Sequence, residues 1–98
     1  MNWKIQSIHF DADQQLKAFI QEKADKLLTF YDNIIEGEVI LKNDNSNVSN
    51  KISEIKLIIP GKILFAKEQA STFEEATDNA LEALRKQLTK HKEKIRGV

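Results

Sequence analysis

Pro60-Gly61 stands between two nine-residue runs, KISEIKLII (51–59) and KILFAKEQA (62–70), both dense in β-branched and aliphatic side chains. Proline fixes its own φ, and glycine accepts the positive φ that follows in a type II turn. The dipeptide therefore folds the chain back and makes the two runs neighbouring antiparallel strands. A third run, IIEGEVILK (34–42), precedes them and has the same β-branched character. Between it and residue 51 lies NDNSNVSN (43–50), whose Asn, Asp and Ser side chains favour local turns, so this segment reads as an exposed hairpin loop. Near the N-terminus, WKIQSIH (3–9) alternates, with Trp3, Ile5 and Ser7 on one side and Ile8 and Phe10 on the other, which predicts a short first strand.

The remaining segments change period. In residues 14–33, Leu16, Phe19, Ile20, Ala24, Leu27, Phe30 and Tyr31 recur at three- and four-residue steps, the spacing of one helix face. Asp13 is its expected N-cap, because a carboxylate can accept from the otherwise unpaired amides of the first turn. From residue 73, Phe73, Ala76, Ala80, Leu81, Leu84, Leu88 and Ile95 form a second stripe. Ser71 or Thr72 caps it, and Thr72 with Glu75 makes the S/T-x-x-E capping-box pattern.

The order β-α-β-β-β-α predicts an α+β fold: a two-layer sandwich in which a four-stranded mixed sheet carries two helices on one face. Strands one and two, joined through a helix, should run parallel with a right-handed crossover. Glu54 and Lys56, alternating with Ile55, Leu57 and Ile59, suggest that the other sheet face is polar. Ninety-eight residues suit one domain, spanning 1–98.

Reactive chemistry is scarce. Cysteine is absent, which removes disulfides, thiolate metal sites and cysteine nucleophiles, and agrees with a reducing cytoplasm. The N-terminal residues lack the apolar run of a secretory signal and no segment reaches the length of a membrane span, so the chain is expected in the cytoplasm without a membrane partner. His9 and His91 have no partner histidine at ligand spacing and read as surface or rim residues; no phosphate-cradling glycine loop or hydrolase motif occurs. Glu74 and Asp78 share a helical face near its start, where acids complement the helix dipole rather than form a catalytic dyad. Asp44-Asn45-Ser46-Asn47 lacks the glycine and glutamate of a calcium loop, and Asn47-Val48-Ser49 is a chance match to the glycosylation pattern. No enzymatic activity, cofactor, metal or small-molecule substrate is expected.

Charge carries more information. Lys plus Arg balance Asp plus Glu at 15 each, so any attraction for a polyanion must be local. The last helix supplies that locality. Residues 72–83 hold Glu74, Glu75, Asp78 and Glu82 with no base, whereas 84–98 hold Arg85, Lys86, Lys90, Lys92, Lys94 and Arg96 against Glu93 alone. Acids first and bases last also suit the helix macrodipole, an effect confined to the terminal turns. Six bases over three turns exceed it.

The run from Leu16 to Leu27, LKAFIQEKADKL, and the run from Phe73 to Lys94, with Ala76, Asp78, Ala80, Leu84, Gln87, Leu88, Lys90, Lys92 and Lys94 in an A-x-D-x-A-x-x-x-L-x-x-Q-L-x-K-x-K-x-K pattern, resemble the family of ribosome hibernation-promoting factors and ribosome-associated inhibitors, also called sigma-54 modulation proteins. The likeness spans nearly the whole chain and is to the short form. It departs at Ala83, where many members are basic, and at Glu74. The resemblance implies a non-enzymatic factor of stress or stationary phase. Such a factor sits on the small ribosomal subunit, against its ribosomal RNA, over the sites of messenger RNA and transfer RNA, and so inhibits translation. Carried over by position, it implies RNA contacts at Lys17, Lys23, Lys26, Lys86, Gln87, Lys90 and Lys94; charge alone adds Arg85, Lys92 and Arg96. Thirteen lysines against two arginines favour point-charge contacts to phosphate over bidentate base reading.

Two other classes compete. A general double-stranded RNA-binding module also uses a β-β-β-α core with a basic last helix, but not the extra first strand or the bases of the first helix. A protein-interaction module would leave the basic end merely solvated.

Overall fold

The structure, a computed structural model, describes residues 3–45, 48 and 50–95, with side chains as far as Lys92. Its elements follow the expected order: β1 (Trp3–Ser7), α1 (Gln14–Phe30), β2 (Glu36–Asn43), β3 (Lys51–Ile59), β4 (Lys62–Ala70) and α2 (Phe73–Ile95). The sheet has the order β1-β2-β3-β4, with β1 parallel to β2 and the other pairs antiparallel.

Local chemistry sets the boundaries. Gly61 has φ 78°, as the turn at Pro60-Gly61 requires, and Ile59 pairs with Lys62 across it. The Leu16 N–H donates to Asp13 Oδ1 at 2.8 Å, and the Glu75 N–H donates to the Thr72 hydroxyl at 3.1 Å, so Asp13 and Thr72 are the two N-caps. Two ends fall short of expectation. β1 stops at Ser7, since His9 takes a left-handed φ of 65° and turns the chain toward α1. α1 stops at Phe30, with Tyr31 extended as its C-cap and still buried, so the apolar spacing runs one residue past the helix.

Packing follows the stripes. Ile20, Ala24 and Leu27 of α1, and Phe73, Ala80, Leu81, Leu84 and Leu88 of α2, close over Val39, Leu41, Ile55, Leu57, Ile59, Leu64 and Ala66 of the sheet. α2 lies over β3 and β4, with α1 beside it toward β1. Both helices run the same way: Phe10 stacks on Phe73 at 5.0 Å at one end, and Tyr31 meets His91 edge-on at 6.3 Å at the other. On the opposite sheet face, polar side chains are joined by Ile63 and Phe65, 62% and 50% exposed, so that face is more apolar than the alternation in β3 suggests.

One polar pair is sealed in the core. The Thr77 hydroxyl donates to the Ser53 hydroxyl at 3.1 Å, and both residues are fully buried. Thr77→Val keeps the volume but strands the Ser53 hydroxyl, at a cost of about 1–3 kcal/mol. Combining it with Ser53→Ala should recover most of that loss in denaturant melts; a double variant as unstable as the sum of the singles would show that the pair is not coupled.

Candidate nucleic-acid interface

The groove between the helices is lined by Lys23, Lys26, Leu27, Asp78, Leu81, Glu82 and Arg85. Helical periodicity explains the meeting: Lys23 and Lys26 lie one turn apart on α1, and Asp78, Glu82 and Arg85 lie on the flank of α2 that faces it. The bases expected on α1 thus stand next to acids of α2. Arg85 is engaged already, its Nε and Nη2 donating to the two Glu82 oxygens at 3.3 and 3.2 Å. That hydrogen-bonded guanidinium, and its charge, hold the Glu82 carboxyl below the ordinary carboxylate range, and Lys86 adds to the effect. The pair is solvent-exposed and so contributes little to stability. Arg85 also lies 5.6 Å from the centre of the Phe30 ring, and Lys23 Nζ lies 5.5 Å from that of Phe19.

The other expected contacts separate into three groups. Lys26, Lys86 and Lys90 are exposed, and Lys86 points away from the buried stripe of α2. Lys17 is exposed too, but six residues before Lys23, which places it about 120° round α1 from that side chain. Lys92 and Gln87 are turned inward. Lys92 Nζ donates to the Phe30 carbonyl at 3.0 Å and sits 4.4 Å from the centre of the Phe30 ring, so it serves the last turn of α1. The Gln87 amide donates to the Phe65 carbonyl at 3.0 Å, on the far side of α2. The Lys94 side chain and all of Arg96 lie outside the described residues.

The structure also adds a base that the helix patterns do not reveal. Lys62, first residue of β4, lines a second groove with Ile63, Leu64, Gln87, Lys90 and His91. Its position just after the Pro60-Gly61 turn is the signal that could have found it, since the hairpin returns there beside α2. The basic surface therefore runs from Lys23 and Lys26 over Lys86 to Lys90 and Lys62. Lysines so spread suit a surface of phosphates rather than one small ligand. Among the described residues no group of three or more His, Cys, Asp or Glu could hold a metal ion, and no helix is long and apolar enough to cross a membrane.

Comparison with known proteins gives this surface a context. The sequence model of the family described as sigma 54 modulation protein / S30EA ribosomal protein matches residues 3–96. A ribosome hibernation promoting factor of Pseudomonas putida is 31% identical over 98 residues, covering 100% of this chain and 93% of that protein. One from Klebsiella oxytoca is 28% identical over 81 residues, covering 83% and 82%. Among solved structures, a ribosomal subunit interface protein from Coxiella burnetii superposes with a TM-score of 0.85 at 20% identity, covering 94% of this chain and 98% of that one. The N-terminal domain of Thermus thermophilus Protein Y gives 0.78 at 20% identity, covering 93% and 99%.

Proposed function

The chain belongs to the sigma 54 modulation protein / S30EA ribosomal protein family, and from that premise we propose that it is a ribosome hibernation factor. In this reading it binds the small subunit through the outer surface of its helical layer, occupies the path of messenger and transfer RNA, and keeps the ribosome inactive without catalysing a reaction. The observation that carries the reading is the exposed series Lys26, Lys86 and Lys90 on helices fixed by a continuous core. A rigid layer presents those ammonium groups at set positions, as a folded RNA with fixed phosphates requires. Lys23, beside its aromatic neighbour, adds to the same outer surface. Asp78 and Glu82 in the inter-helix groove weaken the field there, so the strongest attraction for phosphate lies toward the C-terminal half of α2.

Translation in a purified system tests this. The protein should inhibit it, and inhibition should be relieved when ribosomes are first loaded with messenger and initiator tRNA, because two ligands cannot share one volume. Binding to small subunits should fall as salt rises, with log affinity declining by about 0.7–0.9 per unit of log salt for each phosphate neutralised. Inhibition indifferent to pre-loading, or binding that is flat across the salt range, would sink the occlusion reading.

A further inference from the structure

We propose that the free edge of β4, with the groove beside it, is a docking site for an extended acidic peptide segment of a partner protein, which adds to the sheet as a fifth strand. β4 is the last strand of the sheet among the described residues, and its first part, residues 62–67, is the stretch of edge that forms the docking site. The pairing of Ile59 with Lys62 across a two-residue turn directs the backbone groups of Lys62, Leu64 and Ala66 toward β3. Those of Ile63, Phe65 and Lys67 consequently point outward. The bond from Gln87 to the Phe65 carbonyl agrees with this phase, and it shows that the edge accepts a donor where an added strand would supply one. An edge of this kind is a template for another chain.

Side chains on the two sides of that edge specify the occupant. On the α2 side the groove offers Lys62, Lys90, His91 and Gln87, with no carboxylate among its described lining residues. On the open side stand Ile63 and Phe65, two of the large apolar side chains left exposed. Successive residues of an added strand point to opposite faces, so a segment that alternates acidic with aliphatic residues would place carboxylates against Lys62 and Lys90 and apolar groups over Ile63 and Phe65. A phosphodiester backbone fits less well, since it can accept from the outward N–H groups but has no donor for the carbonyls that alternate with them. A second copy of this chain fits less well too, because edge-to-edge pairing would bring two Lys90-bearing helices together.

The inference does not rest on ribosome binding, although Lys62 and Lys90 belong to both surfaces, and its assay contains no ribosome. The probe is a synthetic peptide of about eight residues alternating Glu with Val, compared with a peptide of the same composition in two blocks. The alternating peptide should bind at physiological salt at least about tenfold more tightly than the block peptide, and should slow hydrogen exchange of the Ile63, Phe65 and Lys67 amides while leaving Leu64 and Ala66 unchanged. Lys67→Pro removes an outward N–H without touching the β3 ladder and should weaken binding about tenfold at an unchanged melting temperature. Lys62→Glu should weaken it comparably through charge, which keeps the test sharp if the proline variant fails to fold. Equal binding of the two peptides, displacement of the peptide from these amides by an RNA oligonucleotide, or protection of the same amides by self-association alone would each overturn the proposal.

Discussion

Replacing Lys23, Lys26, Lys86 and Lys90 together by Glu is expected to abolish co-sedimentation with small ribosomal subunits, a loss of about a thousandfold or more in affinity. Each change removes an attraction to phosphate and adds a repulsion, and all four side chains sit on the outer surface or flanks of the helical layer rather than in the core. The fold should survive, since none of the four is a core residue. Far-UV circular dichroism should match the unaltered protein, while the melting temperature should fall by about 5–10 °C, because Glu at positions 23 and 26 would stand beside Asp78 and Glu82 in the groove. A folded quadruple variant that still sediments with subunits at full affinity would show that the helical layer is not the contact surface.

Gly37→Ala is expected to be the most damaging single change in the sheet. Gly37 pairs directly with Trp3 across the parallel β1–β2 ladder, and the buried indole lies over it. A Cβ on Gly37 would stand 2.2 Å from Trp3 Cζ3 and 2.4 Å from Cε3. The buried ring must shift to admit it, at the expense of its packing against the core. Overpacking of this kind costs about 1–3 kcal/mol, which for a chain of this size lowers the melting temperature by about 4–24 °C. Trp3→Leu in the same chain should recover part of the loss by clearing the space above residue 37. A Gly37→Ala protein that melts within about 2 °C of the unaltered one would show that the ring is not held there.

Much of this architecture was legible before the structure. Pro60-Gly61, Asp13 and Thr72 act through interactions within a few residues of themselves, so the hairpin and both helix starts follow from local chemistry. The β4 run was harder. In KILFAKEQA both parities carry apolar residues, and a period of two cannot decide which pair faces the helices; tertiary packing chose Leu64 and Ala66 and left Ile63 and Phe65 outside. The candidate interface was legible as a charge pattern but not as a set of directions. Lys92 and Lys90 are indistinguishable by composition, yet the end of α1 lies within reach of one and not the other. The same holds for Arg85, whose partner Glu82 lies three residues back on its own helix.

The order in which strands sit in the sheet also bears on how the molecule assembles. β2, β3 and β4 are sequential neighbours joined by short connections, so their pairing closes small loops, whereas β1 reaches β2 only after the whole of α1 has intervened. Loop closure costs more entropy as the loop lengthens, and distant pairings slow folding. The meander can therefore form early, and the parallel ladder is the contact that must wait. Trp3, the chain's single tryptophan, lies in that ladder. Its fluorescence consequently reports the joining of the two ends of the β1–α1–β2 unit, a non-local event, rather than the collapse of the hairpins.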